Sequence, residues 1–189
     1  AGPSSRFGSP KQLVRLAGTP VLHQAITNAG LVAGHSVTVV LGAHARDIGP
    51  ALRQSAVAVA VNRDWEEGIA SSIRTAVHSA PPGCEGLMLV LADQVAVTGD
   101  DLKRLYADWR RHPVLIAAAL YGGAPGLPAI FPRWAFSDLL QVRGDRDPRL
   151  VIRRNVDRVV RVPMHNAGID LDTPEDLLEI ESTVSRTEL

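Results

Sequence analysis

The run Leu87-Met88-Leu89-Val90-Leu91 is the most hydrophobic stretch of the chain, and it ends abruptly at Ala92-Asp93-Gln94. Five consecutive apolar residues are too few for a helix and show no alternation, so they read as a strand covered on both faces. Such a strand requires helices above and below it, which predicts a central strand of a sheet between two helical layers.

The same signal recurs, more weakly, at 36–41, 57–61, 114–120 and 159–162, the last as an edge strand. Apolar residues at helical spacing fill the intervals. Thr19-Pro20 reads as an N-cap with Pro at the first helical position, opening a helix over 20–29. Further helices are predicted at 48–52, from Ile69 through Ile73 and Val77, behind a capping box at Thr98-Gly99-Asp100-Asp101, at 135–140 and at 148–155. A last helix, capped by Thr173-Pro174-Glu175-Asp176, runs toward Ile180. This alternation predicts a three-layer α/β/α sandwich, Rossmann-like, with a mainly parallel sheet. Residues 122–128, rich in Gly and Pro, are expected to break regular structure. No repeat, long linker or boundary divides the 189 residues, so a single domain is expected.

Lys plus Arg and Asp plus Glu each number 20, which argues against a protein that coats nucleic acid or an anionic membrane. No apolar run approaches the ~20 residues of a membrane span. One cysteine, Cys84, excludes a disulfide framework and fits a reducing compartment, the cytoplasm. The six His residues show no metal-ligand spacing, and Trp65 and Trp109 read as packing residues.

In open parallel sheets ligands bind beyond the carboxyl ends of the strands. The residues there are Gly42-Ala43-His44, Asn62, Asp93-Gln94 and Gly122-Gly123. Asp93 is the sharpest candidate, because a carboxylate at the end of an apolar strand needs a ligand, a cation or a helix terminus to offset its desolvation, or else serves as a turn residue. Asp170 and Asp172 share a face if their segment is extended, and two such carboxylates repel unless a cation lies beside them. Alternatively, Asp172 and Glu175 complement the positive end of the last helix. The opening segment, Ala1-Gly2-Pro3-Ser4-Ser5-Arg6-Phe7-Gly8-Ser9-Pro10-Lys11, combines small residues, hydroxyls and two cations. That is the composition of a polyphosphate cradle, and equally of a Ser/Gly/Pro-rich terminus with incidental charges. Gly68-Ile69-Ala70-Ser71-Ser72 opens a helix with free amides and hydroxyls, or is a plain Ser cap. The seven arginines between Arg143 and Arg161 suit phosphate binding or a solvated helix face.

These segments together resemble the nucleotidyltransferase family that activates sugars, isoprenoid precursors and the molybdenum cofactor, the MobA-like NTP transferases, and within it the molybdenum cofactor cytidylyltransferases. The opening segment is similar to the family's A-A-G-x-S-x-R-[FM]-G-x-x-K signature, Leu91-Ala92-Asp93-Gln94 to its L-A-D-Q-P, and Asp170-Leu171-Asp172-Thr173-Pro174-Glu175-Asp176 to its D-[IL]-D-T-P-E-D. Val95 stands where the family has Pro, and Asp147-Pro148 replaces the Gly-Ala of its G-D-x-G-A motif. Residues 122–131 resemble the acceptor-side G-x-P-x-L-F region. In the family a short apolar strand precedes the signature. This sequence starts inside the motif without Met, so the expectation is that upstream residues were cut away or not included.

The resemblance implies a magnesium-dependent enzyme that transfers CMP from CTP, or another nucleotide from its triphosphate, to a molybdopterin-type acceptor, with a molybdoenzyme as a further partner. It implies catalytic roles for Arg6, Lys11 and Asp93, and magnesium ligation by Asp93 and Asp172, with Asp170 the weaker alternative to Asp172. Nucleotide contacts are expected from Ala1, Gly2, Ser5, Arg6, Gly8, Lys11, Gly42, Asn62, Ala70, Ser71 and Asp93. Gly68-Ile69-Ala70-Ser71-Ser72 is similar to the G-x-A-S-S segment of the cytidylyl branch, and this likeness favours CTP over GTP. A non-catalytic module that carries the cofactor or nucleotide is the reading from another class.

Overall fold

The computed structural model describes residues 2, 7–144 and 148–187, with side chains up to 182. After a single 3-10 turn at Lys11–Leu13, β1 (Arg15–Leu16) and β2 (Thr19–Pro20) form a minimal hairpin turned by Ala17 (φ 48°) and Gly18 (φ 79°). This hairpin overturns the expected cap. Thr19 pairs with Leu16, Pro20 takes the N-cap position with no side-chain bond, and the Val21 amide donates to the Val14 carbonyl instead. The helix that follows, α1 (Val21–Ala33), outruns its predicted end by a turn.

β3 (Thr38–Leu41) runs parallel to β4 (Ala58–Val61), with α2 (Ala45–Ile48) and a 3-10 turn between them. Then come α3 (Ile69–His78), β5 (Gly86–Leu89), α4 (Gly99–Arg111), β6 (Ile116–Tyr121), β7 (Ala124–Pro132), α5 (Phe136–Leu140), α6 (Arg149–Arg154), β8 (Val159–Pro163) and α7 (Pro174–Thr187). The last five of the strands and helices predicted from periodicity fall where expected because each carries its own apolar face.

Strands β5, β7, β6 and β8 form a four-stranded sheet in that order, and only β7 runs against the other three. With the parallel pair β3 and β4, the architecture is α/β with a mainly parallel strand direction. The two faces separate along β6. Ile116 and Ala118 pack with Ile73 and Val77 of α3, Leu139 of α5 and Ile152 of α6, whereas Ala117 and Ala119 pack with Leu102, Leu105 and Trp109 of α4. Trp109 is thus a packing residue, as expected. The capping box of α4 is present: Asp101 N–H donates to Thr98 Oγ1 (3.2 Å), and Asp101 Oδ2 accepts from Thr98 N–H (3.0 Å).

Two expectations fail for nonlocal reasons. Among the described residues β5 pairs with β7 alone, at one end of the four-stranded sheet, although it was expected inside. An apolar run reports that both faces are covered, with Leu87 and Leu89 in one cluster and Met88 in the other; it says nothing about the edges. Second, most of the Gly/Pro-rich stretch 122–128 is strand. Gly122 and Gly123, both at positive φ, make the turn, and β7 starts at Ala124. The register jumps from Ala118↔Ala129 to Ala119↔Gly126, so Leu127 and Pro128 bulge out of the ladder and no pairing hydrogen bond is demanded of Pro128. Gly126 is required by packing: a Cβ there would lie 2.5 Å from the Tyr121 hydroxyl and 2.9 Å from its ring.

Candidate active site

The turn that ends β5 carries Asp93 to the carboxyl side of the sheet, and the segment entering α7 is sewn beside it by a backbone bond from Leu171 N–H to the Asp93 carbonyl (2.8 Å). Lys11, on the 3-10 turn, reaches both. Its Nζ donates to Asp93 Oδ2 (2.6 Å), Asp172 Oδ1 (3.1 Å) and the Leu171 carbonyl (3.1 Å). The Lys11 and Asp93 side chains are 17% and 25% exposed, sheltered enough for the ion pair to matter, and Asp172 is 39% exposed.

The cap of α7 is made by residues other than Asp172. Asp176 Oδ2 accepts from the amides of Asp172 (2.9 Å) and Thr173 (2.8 Å), while Asp176 N–H donates to Thr173 Oγ1 (3.3 Å). Thr173 and Asp176 therefore cap the helix. The Asp172 carboxylate is turned to Lys11.

Electrostatics around this point are lopsided toward negative charge. Burial alone would lower the Lys11 ammonium, but the Asp93 and Asp172 carboxylates outweigh it and hold the group above its ordinary value of 10.5. Lys11 is accordingly charged at neutral pH. Asp170, which stands near them, is pushed above its ordinary 3.8 by partial desolvation, then by the charges of Asp93 and Asp172. A carboxyl that binds its proton more tightly in the folded chain favours folding below 3.8 and opposes it as the pH rises past its folded value. Because Asp170 is exposed and solvent screens the repulsion, Asp170→Asn should raise Tm at pH 7 only slightly, by about 1 °C. The gain should vanish in acid; scanning fluorimetry at pH 7 and pH 3.5 reads both, and equal Tm values at pH 7 would show that no such repulsion exists.

Two carboxylates and a carbonyl converging on one cation form a hard oxygen set, which suits magnesium or manganese. Among the described residues no group of three or more His, Cys, Asp or Glu is placed to hold a metal. One or two protein carboxylates are enough for magnesium, which completes its shell with phosphate oxygens and water.

A second group forms where β4 meets α3. Asn62, buried, donates through Nδ2 to Ser71 Oγ (2.8 Å) and Ser72 Oγ (3.0 Å), and its Oδ1 accepts from the Asp64 amide (3.0 Å). Ser71 Oγ donates to the Gly68 carbonyl (2.8 Å), and Gly68 at φ 105° sets the entry into α3. Ala70 is fully buried and its amide donates to the Gly144 carbonyl (3.2 Å). Gly42, also buried, turns the chain after β3 and accepts from the Ala45 amide (3.0 Å). Gly8 turns at φ 71°, and Gly2, like Gly8, has open space around its Cα. Ala1, Ser5 and Arg6 lie outside the described residues.

From the sequence, Gln94 is only the neighbour of Asp93 beyond a strand end. It is buried, and Nε2 donates to the Leu127 (2.9 Å) and Ala167 (2.6 Å) carbonyls, tying the Asp93 turn to the β7 bulge and to the loop before Leu171. The only signal was an amide beside the key carboxylate. In the arginine-rich stretch, Arg143 bonds the Leu140 and Val142 carbonyls, Arg158 stacks 3.7 Å over the Trp134 ring, and Arg149, Arg153 and Arg154 are exposed. A cavity of about 660 Å³ lined by Cys84, Trp109, Arg133 and Trp134 opens at the opposite end of β5 and includes none of the candidate residues.

Comparison with known proteins bears on this geometry. The chain resembles Rv0371c from Mycobacterium tuberculosis H37Rv, at 28% identity and TM-score 0.83, with 96% of this chain and 94% of that one covered. A manganese complex of Rv0371c aligns at 25% identity and TM-score 0.78, covering 94% of each chain. Molybdopterin-guanine dinucleotide biosynthesis protein A from Archaeoglobus fulgidus shares the fold at 18% identity and TM-score 0.74, over 98% of this chain and 95% of that one. No curated protein matches significantly. The model of the MobA-like NTP transferase domain matches residues 1–159, a span that takes in Lys11, Asn62, Ser71 and Asp93, and the chain belongs to that family.

Proposed function

We propose that the protein is a magnesium-dependent cytidylyltransferase of the cytoplasm that transfers CMP from CTP to the terminal phosphate of the molybdopterin form of the molybdenum cofactor. The observation that carries this reading is the convergence of Lys11, Asp93 and Asp172 on one point. Asp93 and Asp172 would hold the magnesium, which supplies neutralisation of charge on the phosphate oxygens. That Rv0371c, a similar protein, forms a manganese complex supports the use of a divalent metal.

An oxygen of the acceptor phosphate attacks the α-phosphorus, the bond to the β-phosphate oxygen breaks, and pyrophosphate leaves with the bonding electrons. Such a displacement needs alignment and charge stabilisation rather than a protein nucleophile. Lys11 would follow the triphosphate, and Arg6 with Ala1, Gly2, Ser5 and Gly8 would contact its phosphates. Gly42, Asn62, Ala70 and Ser71 take the nucleoside end. There Asn62 holds Ser71 and Ser72 in fixed orientations, which limits the rotamers the hydroxyls would lose on binding.

The test is pyrophosphate release across the four nucleoside triphosphates with magnesium and molybdopterin cofactor. CTP should exceed the others by at least ~10-fold, worth about 1.4 kcal/mol at the transition state. Faster release with GTP would make the protein a guanylyltransferase. Binding without release for any nucleotide would make it a non-catalytic carrier that delivers the cofactor or nucleotide to a molybdoenzyme.

A further inference from the structure

We propose that Lys11 is the protein's own counter-cation for Asp93 and Asp172, so that the ammonium competes with a divalent metal for this pair and the metal is admitted together with a nucleoside triphosphate. The inference rests on the transferase reading and adds an order of binding to it.

An ammonium has three N–H donors and no acceptor. All three of Lys11 find acceptors: Asp93 Oδ2, Asp172 Oδ1 and the Leu171 carbonyl. These three come from the turn after β5 and the segment before α7, which the Leu171-to-Asp93 backbone bond holds together. Lys11 is thus not a loose surface cation near two acids. Its Nζ lies within hydrogen-bond reach of both carboxylates at once.

Magnesium draws carboxylate oxygens to about 2.0–2.1 Å, and a second cation on the same oxygens then faces it at close range. A metal ion and the Lys11 ammonium cannot share Asp93 and Asp172 without close like-charge repulsion. Phosphate oxygens offer the Lys11 ammonium a replacement for the carboxylates that water matches less well. Its four-carbon stem is flexible and it sits on a single 3-10 turn, so the ammonium can swing to the triphosphate while the carboxylates are handed over. Metal and nucleotide binding are then positively coupled, and by linkage each strengthens the other by the same factor.

The experiment is Mn²⁺ binding to the full chain, read from the electron paramagnetic resonance signal of free Mn²⁺, with and without a non-hydrolysable CTP analogue. Lys11→Met, which keeps the bulk of the stem and removes the charge, should bind Mn²⁺ without nucleotide at least ~10-fold more tightly than the unsubstituted protein, a shift of about 1.4 kcal/mol. Adding Asp93→Asn to Lys11→Met should abolish that gain. The unsubstituted protein should bind Mn²⁺ tightly only when the analogue is present. Should Lys11→Met fail to fold, Lys11→Gln repeats the comparison with a neutral side chain that still hydrogen-bonds. Equal or weaker Mn²⁺ binding by the folded neutral variant, while the unsubstituted protein binds Mn²⁺ with the analogue, overturns the competition and leaves the transferase reading standing. Absence of Mn²⁺ binding in every combination overturns both.

Discussion

Replacing Asp93 by Ala lowers pyrophosphate release on the order of 10²-fold or more, the usual cost of removing one preorganised charged group from such a site. The fold should survive. The Asp93 backbone carbonyl, which accepts from Leu171, is untouched by the substitution, and Lys11 keeps Asp172 and the Leu171 carbonyl as partners. With Asp93 a quarter exposed, the lost ion pair costs about 1 kcal/mol. Circular dichroism and Tm therefore stay close to those of the unsubstituted protein while kcat collapses. Unchanged turnover in Asp93→Ala would remove the basis of the functional proposal.

Phe131→Ala produces the opposite pattern, a large loss of stability with the site chemistry intact in whatever fraction remains folded. Phe131 is fully buried on β7, opposite Leu87 of β5, in the cluster that also holds Ile116, Leu139 and Ile152. Removing a buried Phe side chain costs about 3–5 kcal/mol, because the transfer free energy is lost and a cavity remains. At about 2–4 °C per kcal/mol in a chain of this length, Tm falls by roughly 6–20 °C. Urea denaturation should show a lower midpoint at unchanged slope. A Tm within two or three degrees of the unsubstituted value would mean that β7 is not the packed centre of this face, and the account of the bulge would fall with it.

Elements with their own periodicity and caps were legible in the sequence. The helix α4 shows both, since Leu102, Leu105 and Trp109 lie on one face and Thr98 and Asp101 close the capping box locally. The strand β7 was not legible, because its tolerance of Pro and Gly comes from a bulge opposite β6 and from a tyrosine ring lying against Gly126. The N-cap expected at Thr19 lost to a hairpin whose other strand is only three residues upstream. There two local signals competed, and pairing won.

By itself the sequence determined which residue types stand at the ends of which elements: an aspartate after the most apolar run, a lysine after a glycine-rich opening, an aspartate before a capped helix. Only the tertiary structure decided that these meet. Lys11 and Asp93 are 82 positions apart, and Lys11 and Asp172 are 161 apart. Composition and periodicity act within a few turns of chain, whereas the contacts that close the site join segments that only the packed sheet and helices bring side by side.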